Sequence, residues 1–317
     1  MAAEHPTYVW WKGELVAWDE ATVHVTDLAW SALGAVFEGI RGYWSDEREE
    51  LLIFRLAEHL DRLRGSTRIV RLPLPYSAEE LTRSIIGLLH ENECREDTYI
   101  FPFVYGSSGA ARFDPKKLES ETLIRTSPMP SHLGTEFSQH ARVSTWTRIS
   151  DNVMPPRIKN ISNYRNGQLA THEVKLDGYE VALMLNPQGK ISEAPGACVA
   201  FIRDGKLITP DVTSGILESI TRNAVITLAR EVLEMEVVER AVDRTELYLA
   251  DEIFTCGTAA EITPLISVDQ YPIGDGEIGP VTRTLQSNLE GILRGSDDRY
   301  AHWVTPVPVA IPVTAHP

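Results

Sequence analysis

A lysine behind a stiff pair of prolines is the feature of this sequence that most restricts the fold. Lys159 follows Pro155 and Pro156, Tyr164 comes five positions later, and Glu193 ends a turn and strand farther along. A lysine that can form an imine and a carboxylate that can face a pyridinium nitrogen are the two protein groups that a pyridoxal phosphate site requires. Neither residue is specific alone, because an isolated lysine or a glutamate in a turn is usually solvated.

The composition is that of an ordinary globular protein. The chain has 317 residues, enough for two domains, of which 43% are hydrophobic and 24% are charged. The net charge of −15 opposes non-specific binding to nucleic acid and to anionic membranes. We therefore expect no nucleic-acid partner and no membrane partner, and an anionic ligand would require a local cationic pocket.

The N-terminus and the cysteines predict the compartment. Residues 1–7 lack a basic segment followed by an apolar run, and no stretch approaches the roughly 20 apolar residues of a membrane-spanning helix. The three cysteines, Cys94, Cys198 and Cys256, are far apart and lack the paired spacing of a zinc site. These features predict reduced thiols in a soluble cytoplasmic protein.

Apolar spacing and turn residues predict the elements of the first half. A hairpin turns at Lys12-Gly13, and a capping box at Ser77 opens a helix that runs to about Asn92. The other predicted elements are strands at 23–25, 51–54, 98–105 and 121–126 and a helix at 56–71. The prolines and glycine of 127–134 are typical of a connector.

The second half is richer in short strands. They are predicted at 142–147, 180–185, 198–203, 206–208 and 252–256, with helices at 221–235 and 281–293. The proline-rich tail from Val304 is predicted to be loosely held. The absence of a sustained βαβ rhythm favours an α+β fold. We predict a small N-terminal domain at 1–128, an interdomain linker at 129–139 and a large cofactor-binding domain at 140–317.

One motif resembles a dinucleotide site but is weak. Gly274, Gly276 and Gly279 match the letters of the G-x-G-x-x-G fingerprint. The motif includes the carboxylates Asp275 and Glu277, and no βαβ unit surrounds it, so we interpret it as an acidic turn. The sequence contains no P-loop, no G-x-S-x-G elbow and no H-E-x-x-H helix. Hydrolase and metal-dependent functions therefore have little support, and we expect no metal site.

Three other places could hold a phosphate group, and each has a plainer alternative. Arg62 lies on the predicted helix 56–71, where a solvated arginine is common. Ile220 and Thr221 begin a helix whose free N–H groups and dipole attract anions, although the threonine could simply cap the helix. The segment 257–259 follows a strand, and its glycine lets the backbone approach a ligand, although a plain turn would look the same.

The joint arrangement of these segments resembles a known family. The matching segments, in order, are 37–41 (F-E-G-I-R), 59–63, Lys159 with 163–164, 191–193, 220–222, 248–252 and 257–264. From about Tyr8 to Leu293 the chain is similar to the class IV (fold type IV) pyridoxal-phosphate aminotransferases, and most of all to branched-chain amino acid aminotransferases. The resemblance implies a smaller α/β N-terminal domain and a larger C-terminal domain with a pseudo-barrel.

The resemblance assigns a role to each cofactor-binding residue. Lys159 would form the internal aldimine with pyridoxal 5'-phosphate and then act as the base that moves the substrate proton. Glu193 would face the ring nitrogen, and Tyr164 would hydrogen-bond the phenolic oxygen. The residues implied to hold the phosphate are Arg62, Ile220, Thr221 and Thr258.

The resemblance also assigns substrate contacts and partners. The turn at Thr258-Ala259 would offer backbone N–H groups to a substrate carboxylate. The residues implied to line the substrate pocket are Phe37, Gly39, Arg41, Tyr99, Phe101, Arg112, Met129, Thr258 and Ala259. The small-molecule partners would be an amino donor and a 2-oxo acid acceptor. The assembly would be a homodimer or a higher homo-oligomer in which a loop of the partner closes over the substrate.

The substrate side departs from the family pattern. Phe101 stands where branched-chain aminotransferases have an arginine that lines the carboxylate pocket. Ala32 replaces a tyrosine, and Met129 and His132 replace the usual tryptophan and tyrosine of the linker. The missing cation removes a charge-assisted interaction of roughly 1.5–3 kcal/mol. Either the pocket accepts hydrophobic amines that lack a carboxylate, or another cation, with Arg112 and Arg41 as the candidates, takes its place.

These observations predict a transaminase that moves an amino group between a hydrophobic, branched-chain-type amino acid or amine and a 2-oxo acid. The alternatives are an (R)-selective amine transaminase or a D-amino acid transaminase, because the fold hosts both stereochemical preferences. A lyase of the aminodeoxychorismate type and a catalytically idle descendant are further alternatives. The hydrophobic substitutions disfavour the lyase, and the intact set of Lys159, Tyr164 and Glu193 disfavours the idle protein.

Overall fold

The computed structural model describes residues 5–107 and 114–308, apart from the side chains of Ala29 and Trp30. Within these residues the chain forms two compact units. The first contains 5–32, 37–131 and the residues from Gly291 onward, and the second contains 33–36 and 132–290. The described part of the chain has no helix that is long and apolar enough to cross a membrane.

The first unit is built around one sheet. The elements in this part of the chain are β1 (Tyr8–Trp11), β2 (Glu14–Ala17), α1 (Leu28–Leu33), β3 (Val36–Phe37), β4 (Ile40–Ser45), β5 (Glu50–Phe54), α2 (Leu56–Val70), α3 (Ala78–Glu91), β6 (Thr98–Gly106) and β7 (Ser120–Pro128). A late strand, β16 (Val304–Val307), joins them, and the strand order is β16-β5-β4-β6-β7-β1-β2, with β3 beside β6. The registered neighbours on this path are antiparallel.

Two helices of the first unit form where the sequence predicts them. Along α2, Leu56, Leu60 and Leu63 are buried on one face, as their spacing of three and four residues indicates. At the start of α3, the Ser77 hydroxyl accepts the Glu80 N–H at 3.1 Å and the Glu80 carboxylate accepts the Ser77 N–H at 2.7 Å. This reciprocal capping satisfies two N–H groups that the helix itself cannot pair.

The two faces of β6 differ in composition. Ile100 and Val104 are fully buried in the core, whereas alternate positions carry rings on the opposite face, because successive strand residues point to opposite sides. We call this set of rings the aromatic face, and it consists of Tyr99, Phe101, Phe103 and Tyr105. Neighbouring ring centroids along it are 5.6–6.3 Å apart.

The second unit contains a mixed sheet and two main helices. Its elements are β8 (Gln139–Val143), α4 (Ile161–Leu176), β9 (Val181–Leu183), β10 (Cys198–Arg203), β11 (Lys206–Thr209), α5 (Ile220–Glu231), β12 (Val237–Glu239), β13 (Glu252–Gly257), β14 (Glu261–Val268) and β15 (Tyr271–Pro272). The order is β12-β11-β10-β13-β14-β8-β9, with β15 beside β14. Phe201, Ile253 and Leu265 belong to its buried core. A further helix is α6 (Pro280–Leu293), whose residues up to Glu290 belong to the second unit.

Most predicted elements are present, and the α+β fold is confirmed, but three expectations were wrong. Residues 23–25 do not form a strand, and a short 3-10 helix covers Val25–Asp27. The first part of the tail is not loosely held, because β16 pairs with β5 from Val304–Phe54 to Val307–Leu51, and the tail beyond residue 308 lies outside the described residues. The helix α4 was not predicted, since polar residues and a glycine interrupt its apolar spacing.

The divisions between the units also differ from the predicted domains. The main crossing lies between Ser131 and His132, inside the predicted linker 129–139. The residues after Gly291 belong with the first unit rather than with a continuous domain at 140–317. The reason is the long-range pairing of the last strand, which apolar spacing cannot show. The acidic motif at 274–279 forms turns, with Gly274 and Gly276 at φ +57° and +84°.

Candidate active site

Lys159 lies in the second unit, directly before the first turn of α4. Its amine hydrogen-bonds the Tyr164 hydroxyl at 2.5 Å. Asn160 caps the helix by accepting the Ser162 N–H at 2.9 Å, and the Asn163 amide donates to the Ile158 carbonyl at 3.2 Å. Both amides therefore fix the backbone on either side of the lysine. The spacing of five positions brings the amine and the phenol together, and the predicted contact of Tyr164 with the phenolic oxygen of the cofactor stays a prediction.

Glu193 is buried beside a partner that sequence reasoning missed. Arg148 holds one carboxylate oxygen through Nε at 2.9 Å and Nη2 at 2.8 Å. The Leu217 N–H donates to the other oxygen at 2.9 Å. Arg148 lies 45 positions earlier in the chain and belongs to no motif, so no local pattern identifies it.

The surroundings of Glu193 set the charge of its carboxyl. Burial raises its pKa above the ordinary value, and Arg148, the Leu217 N–H and Lys159 each oppose that rise. A pyridinium opposite the carboxylate would also oppose the rise in the pKa, because an opposite charge favours the ionised form. These surroundings are consistent with the predicted pairing of Glu193 with a protonated ring nitrogen, which stays a prediction.

The start of α5 presents backbone N–H groups of the kind that bind anions. The Ser219 hydroxyl caps the Arg222 N–H at 3.1 Å, and the first two N–H groups, of Ile220 and Thr221, have no partner within the helix. Arg222 is buried and bonds the Thr209 hydroxyl at 3.1 Å and the Pro210 carbonyl at 2.9 Å, which holds this end of the helix in place. A phosphate at the helix start is consistent with this geometry.

The turn predicted to receive a substrate carboxylate is a three-residue hairpin loop. Gly257 pairs with Glu261, so residues 258–260 connect β13 to β14. Glu261 has φ +47°, a left-handed conformation that is unusual for glutamate and costs on the order of 1–3 kcal/mol. An ideal Cβ on Gly257 would lie 3.0 Å from the Gly196 carbonyl oxygen, so glycine permits the close approach of two backbones.

His132 supports this turn from the predicted linker. Its N–H and its ring Nδ1 lie 2.9 and 3.0 Å from one carboxylate oxygen of the buried Glu261. Its Nε2 lies 2.9 Å from the Thr263 hydroxyl, which donates to the Ala260 carbonyl at 2.6 Å. These contacts fix the strained residue and the end of the turn. The departure at position 132 is therefore adjacent to a predicted substrate contact.

In the first unit, Arg62 is held by a buried carboxylate. Glu38 is fully buried and accepts Arg62 Nε and Nη2, both at 2.7 Å, and its carboxylate lies 2.8 Å from His59 Nδ1. Burial alone would raise the pKa of Glu38, but Arg62 and His59 lower it to about 2. The predicted phosphate role of Arg62 stays a prediction, and the structure adds Glu38 and His59 as the residues that orient it.

The predicted substrate residues of the first unit cluster at one end of the aromatic face. The ring of Phe37 lies 5.2 Å from that of Phe101. Gly39 allows Tyr99 to approach, because an ideal Cβ on Gly39 would lie 2.2 Å from the Tyr99 hydroxyl oxygen. The small residue and the tyrosine are therefore matched to each other.

Arg41 and Arg112 are the two candidates to replace the missing arginine, and the structure describes only Arg41. Arg41 is 1% exposed, donates from Nη2 to the Met129 carbonyl at 2.6 Å and lies 4.7 Å above the Tyr43 ring. This burial favours a role in holding the segment at Met129. Arg112 and most of the loop at 106–112 lie outside the described residues.

The second unit contains the kinds of group that pyridoxal phosphate requires. An amine and a phenol in contact, a buried carboxylate and a helix start with free N–H groups are the groups that the cofactor's aldehyde, phenolic oxygen, ring nitrogen and phosphate require. Among the residues that the structure describes, no group of histidine, cysteine, aspartate or glutamate side chains could hold a metal ion.

Comparison with known proteins leads to the same family. The model of the family described as "Amino-transferase class IV" matches residues 35–268. A probable branched-chain-amino-acid aminotransferase of Aquifex aeolicus is 41% identical over 302 residues, which are 95% of this chain and 96% of that protein. The branched-chain-amino-acid aminotransferase of Escherichia coli K12 is 37% identical, with 97% of this chain and 99% of that protein covered.

A solved structure agrees with both relatives. The crystal structure of branched-chain amino acid aminotransferase from Thermobaculum terrenum, in its PLP-form, is 50% identical, covers 96% of this chain and 99% of that chain, and has a TM-score of 0.93. The fold and the predicted cofactor are therefore confirmed. The chain belongs to the class IV aminotransferases, a family of pyridoxal-phosphate-dependent enzymes.

Proposed function

We propose that this protein is a transaminase that exchanges an amino group between a branched-chain-type hydrophobic amino acid and a 2-oxo acid. The observation that carries the proposal is the pair formed by Lys159 and Tyr164 in the same unit as the buried carboxylate of Glu193. The names of the Aquifex and E. coli relatives support the choice of amino acid class. The aromatic face supports a hydrophobic substrate.

The residues would divide the chemistry between them. Bound pyridoxal phosphate supplies an electron sink for the pair left at the substrate α-carbon when its proton departs. Lys159 Nζ would attach the cofactor, and as a free amine would carry the proton to and from the substrate carbon. Glu193 would keep a proton on the ring nitrogen. Tyr164 would orient the lysine amine and the phenolic oxygen through its hydroxyl.

The second unit also contains groups suited to hold the anions. The N–H groups of Ile220 and Thr221 at the start of α5 would bind phosphate, together with Thr258. The N–H groups of the turn at Thr258-Ala259 would receive the substrate carboxylate. His132 and Glu261 would hold that turn in one conformation, so that binding a carboxylate costs little reorganisation.

The alternative is an (R)-selective amine or D-amino acid transaminase. The observation that favours it is the replacement of a cation by Phe101 on the aromatic face. Amines without a carboxylate would then be accepted as donors. The lyase alternative predicts release of pyruvate without a second substrate.

A donor panel tests the proposal. Purified enzyme is assayed with L-leucine, L-glutamate, D-alanine and (R)-1-phenylethylamine, each with 2-oxoglutarate and with pyruvate. We expect L-leucine with a 2-oxo acid to give the highest kcat/KM. A preference for D-alanine or the amine would instead support the alternative. Borohydride reduction followed by peptide mapping should place the cofactor on Lys159, and a label on another residue would contradict the assignment.

The assembly and the compartment are part of the proposal. We expect a homodimer or higher homo-oligomer, which light scattering at micromolar protein would detect. We expect the protein to work in the cytoplasm, where thiols stay reduced. Cys198 and Cys256 are buried thiols directly opposite each other on β10 and β13, and burial raises the pKa of both, that of Cys256 to about 12.

A further inference from the structure

An arginine that sequence reasoning did not consider lies directly beside the altered pocket position. Arg125 on β7 is the antiparallel cross-strand partner of Phe101 on β6. Side chains of directly opposed residues lie on the same face of a sheet. The Arg125 guanidinium carbon lies 4.9 Å from the centroid of the Phe101 ring. The cation is therefore displaced by one strand from the position where the resemblance leads us to expect it.

Arg125 differs from several other buried or partly buried arginines in its charge partners. Four of them hold a carboxylate of this chain, namely Arg62 with Glu38, Arg148 with Glu193, Arg222 with Glu239 and Arg294 with Asp97. Within 5–107 and 114–308, no carboxylate lies within 4.0 Å of the Arg125 guanidinium, which lies over the Phe101 ring. A guanidinium on an aromatic face keeps its in-plane N–H groups available, because the ring contacts only its flat side.

The surroundings of Arg125 suit a ligand with an acidic end and an apolar body. Leu123 lies two positions away on the same face of β7 and lines a cavity of about 220 Å³. The wall of this cavity also includes Trp11, Phe103 and Ala32. Two strand positions span roughly 7 Å, so the backbone of Arg125 lies about that far from one wall residue of this mainly apolar cavity, whose lining also includes Asp27. Ala32 is the residue that replaces a larger tyrosine.

We propose that Arg125 is a specificity-determining residue that binds a substrate carboxylate and takes the place of the cation missing at position 101. The proposal rests on the proposed transaminase function and adds the residue that recognises the acid. Guanidinium and carboxylate form paired, parallel hydrogen bonds, and an apolar wall strengthens them by excluding water. The fully buried Arg41 lacks this access.

A thermodynamic cycle tests the proposal by removing the charge of Arg125 and, separately, the charge of the ligand. Holoenzyme of wild type and of Arg125→Gln is titrated calorimetrically with 4-methylpentanoate and with its neutral amide, 4-methylpentanamide. We expect the substitution to weaken binding of the acid about tenfold, which is about 1.4 kcal/mol, and to leave binding of the amide unchanged. An equal loss for acid and amide would overturn the proposal, because a structural role alone would produce it.

The same titration with glutarate, a dicarboxylate, shows which carboxylate of a ligand Arg125 binds. A loss confined to glutarate assigns Arg125 to a second carboxylate, whereas a similar loss for both acids assigns it to a carboxylate that all amino acid substrates share. The second result is the one expected from the tenfold loss for 4-methylpentanoate; the first would still support binding of a carboxylate by Arg125, but of the second carboxylate alone. Unchanged affinity for both acids contradicts it. The matched control is Arg83→Gln, which removes an exposed arginine from α3 in the same unit and should alter neither ligand.

Returning the cation to the neighbouring strand provides a rescue test. In the double variant Phe101→Arg with Arg125→Ala, the charge moves across the sheet by about 5 Å. We expect this variant to recover a preference for acid over amide that Arg125→Ala alone has lost. No recovery, with the protein folded and the cofactor bound as judged by its absorbance, would show that the two positions do not share a role.

These measurements separate the proposal from the function on which it rests. If wild type binds the acid through Arg125 but transfers no amino group, the proposed function fails and the carboxylate site stands. If wild type transaminates L-leucine and Arg125→Gln retains the same KM for L-leucine and 2-oxoglutarate, the inference is wrong and the function stands.

Discussion

The environment of Lys159 and the aromatic face differ in how their charges are neutralised. Around Lys159, Glu193 is enclosed by Arg148 and the Leu217 N–H, so the carboxylate is fixed before any ligand arrives. On the aromatic face, Arg125 has an aromatic ring and, in the described part of the chain, no carboxylate. Paired groups hold one geometry, whereas an unpaired cation on an apolar wall is available to a ligand. The first arrangement suits a chemical step that requires one fixed geometry, and the second suits the recognition of a substrate.

The largest effect should come from the lysine itself. Lys159→Ala removes both the attachment point and the group that moves the substrate proton, so we expect kcat to fall by at least about 10⁴-fold. Single-turnover kinetics and the cofactor absorbance band would measure the loss. Lys175→Ala, which removes an exposed lysine from α4, the helix that follows Lys159, is the control and should retain both. Substantial turnover by Lys159→Ala would contradict the role assigned to Lys159.

The next largest effect should come from breaking the buried ion pair. Arg148→Met leaves Glu193 without its cation, and removing one partner of a buried pair costs about 3–5 kcal/mol of folding free energy. The pKa of Glu193 should rise further, because Arg148 opposes the effect of burial. A raised pKa means that the folded state binds the proton more tightly than the unfolded state. The loss should therefore be greater at pH 8 than at pH 5.

Urea unfolding at the two pH values measures this effect. Glu193→Gln in the Arg148→Met background should restore much of the stability, since no buried charge then lacks a partner. Arg283→Met removes an arginine from an exposed pair with Glu136 and should change the unfolding midpoint little. A pH-independent loss in Arg148→Met would argue against charge as the cause.

The buried carboxylate of Glu38 in the first unit predicts that the free energy of unfolding falls at low pH. The pKa of Glu38 is lowered from 4.5 to about 2 by Arg62 and His59. The Glu38 carboxyl therefore binds a proton more readily in the unfolded chain than in the folded chain. About 3 kcal/mol of stability is present above pH 4.5 and is lost as the pH falls toward 2. Unfolding midpoints between pH 6 and pH 3 measure the slope. Glu38→Gln should flatten it, and an unchanged slope would assign the acid sensitivity to other groups.

The smallest effect should be confined to the substrate side. Gly39→Ala places a methyl group where the Tyr99 hydroxyl now lies, so the tyrosine must move. We expect KM for L-leucine to rise about tenfold, equivalent to about 1.4 kcal/mol, with the cofactor absorbance unchanged. Gly87→Ala is the matched control, because nothing lies within 4 Å of an ideal Cβ there. An altered cofactor band in Gly39→Ala would show that the two regions are not independent.

The sequence was most informative where the chemistry permits few residue types. Lys159, Tyr164 and Glu193 could be assigned because their roles require an amine, a phenol and an acid, and their segments recur in order. Arg148 and Arg125 could not, since each acts through a neighbour that only sheet register or loop packing brings close. His132 was noticed as a departure, but its contact with Glu261 depends on a residue 129 positions away.

The helices also differ in whether a local sequence signal or a distant contact determines where they form. The capping box at Ser77 is a local signal, and α3 begins where that signal predicts. The helix α4 lacks such a signal in its apolar pattern, although Asn160 caps it. Gly167 interrupts the pattern because the helix packs closely there, where an ideal Cβ would lie 2.8 Å from Pro195 Cβ. Tertiary contact therefore overrode the local pattern.

The pairing of β16 with β5 has a consequence for how the protein is made. Val304–Val307 forms the outermost strand beside Glu50–Phe54, although the ribosome adds it long after the strand that it covers. Until β16 has been synthesised, the peptide groups on the outer edge of Leu51–Ile53 are unpaired. An unpaired edge of this kind can associate with other nascent chains. Pro306 lacks an N–H group, so it also weakens further strand addition once the edge is covered. Expression vectors that shorten this end would therefore lower soluble yield before they alter catalysis.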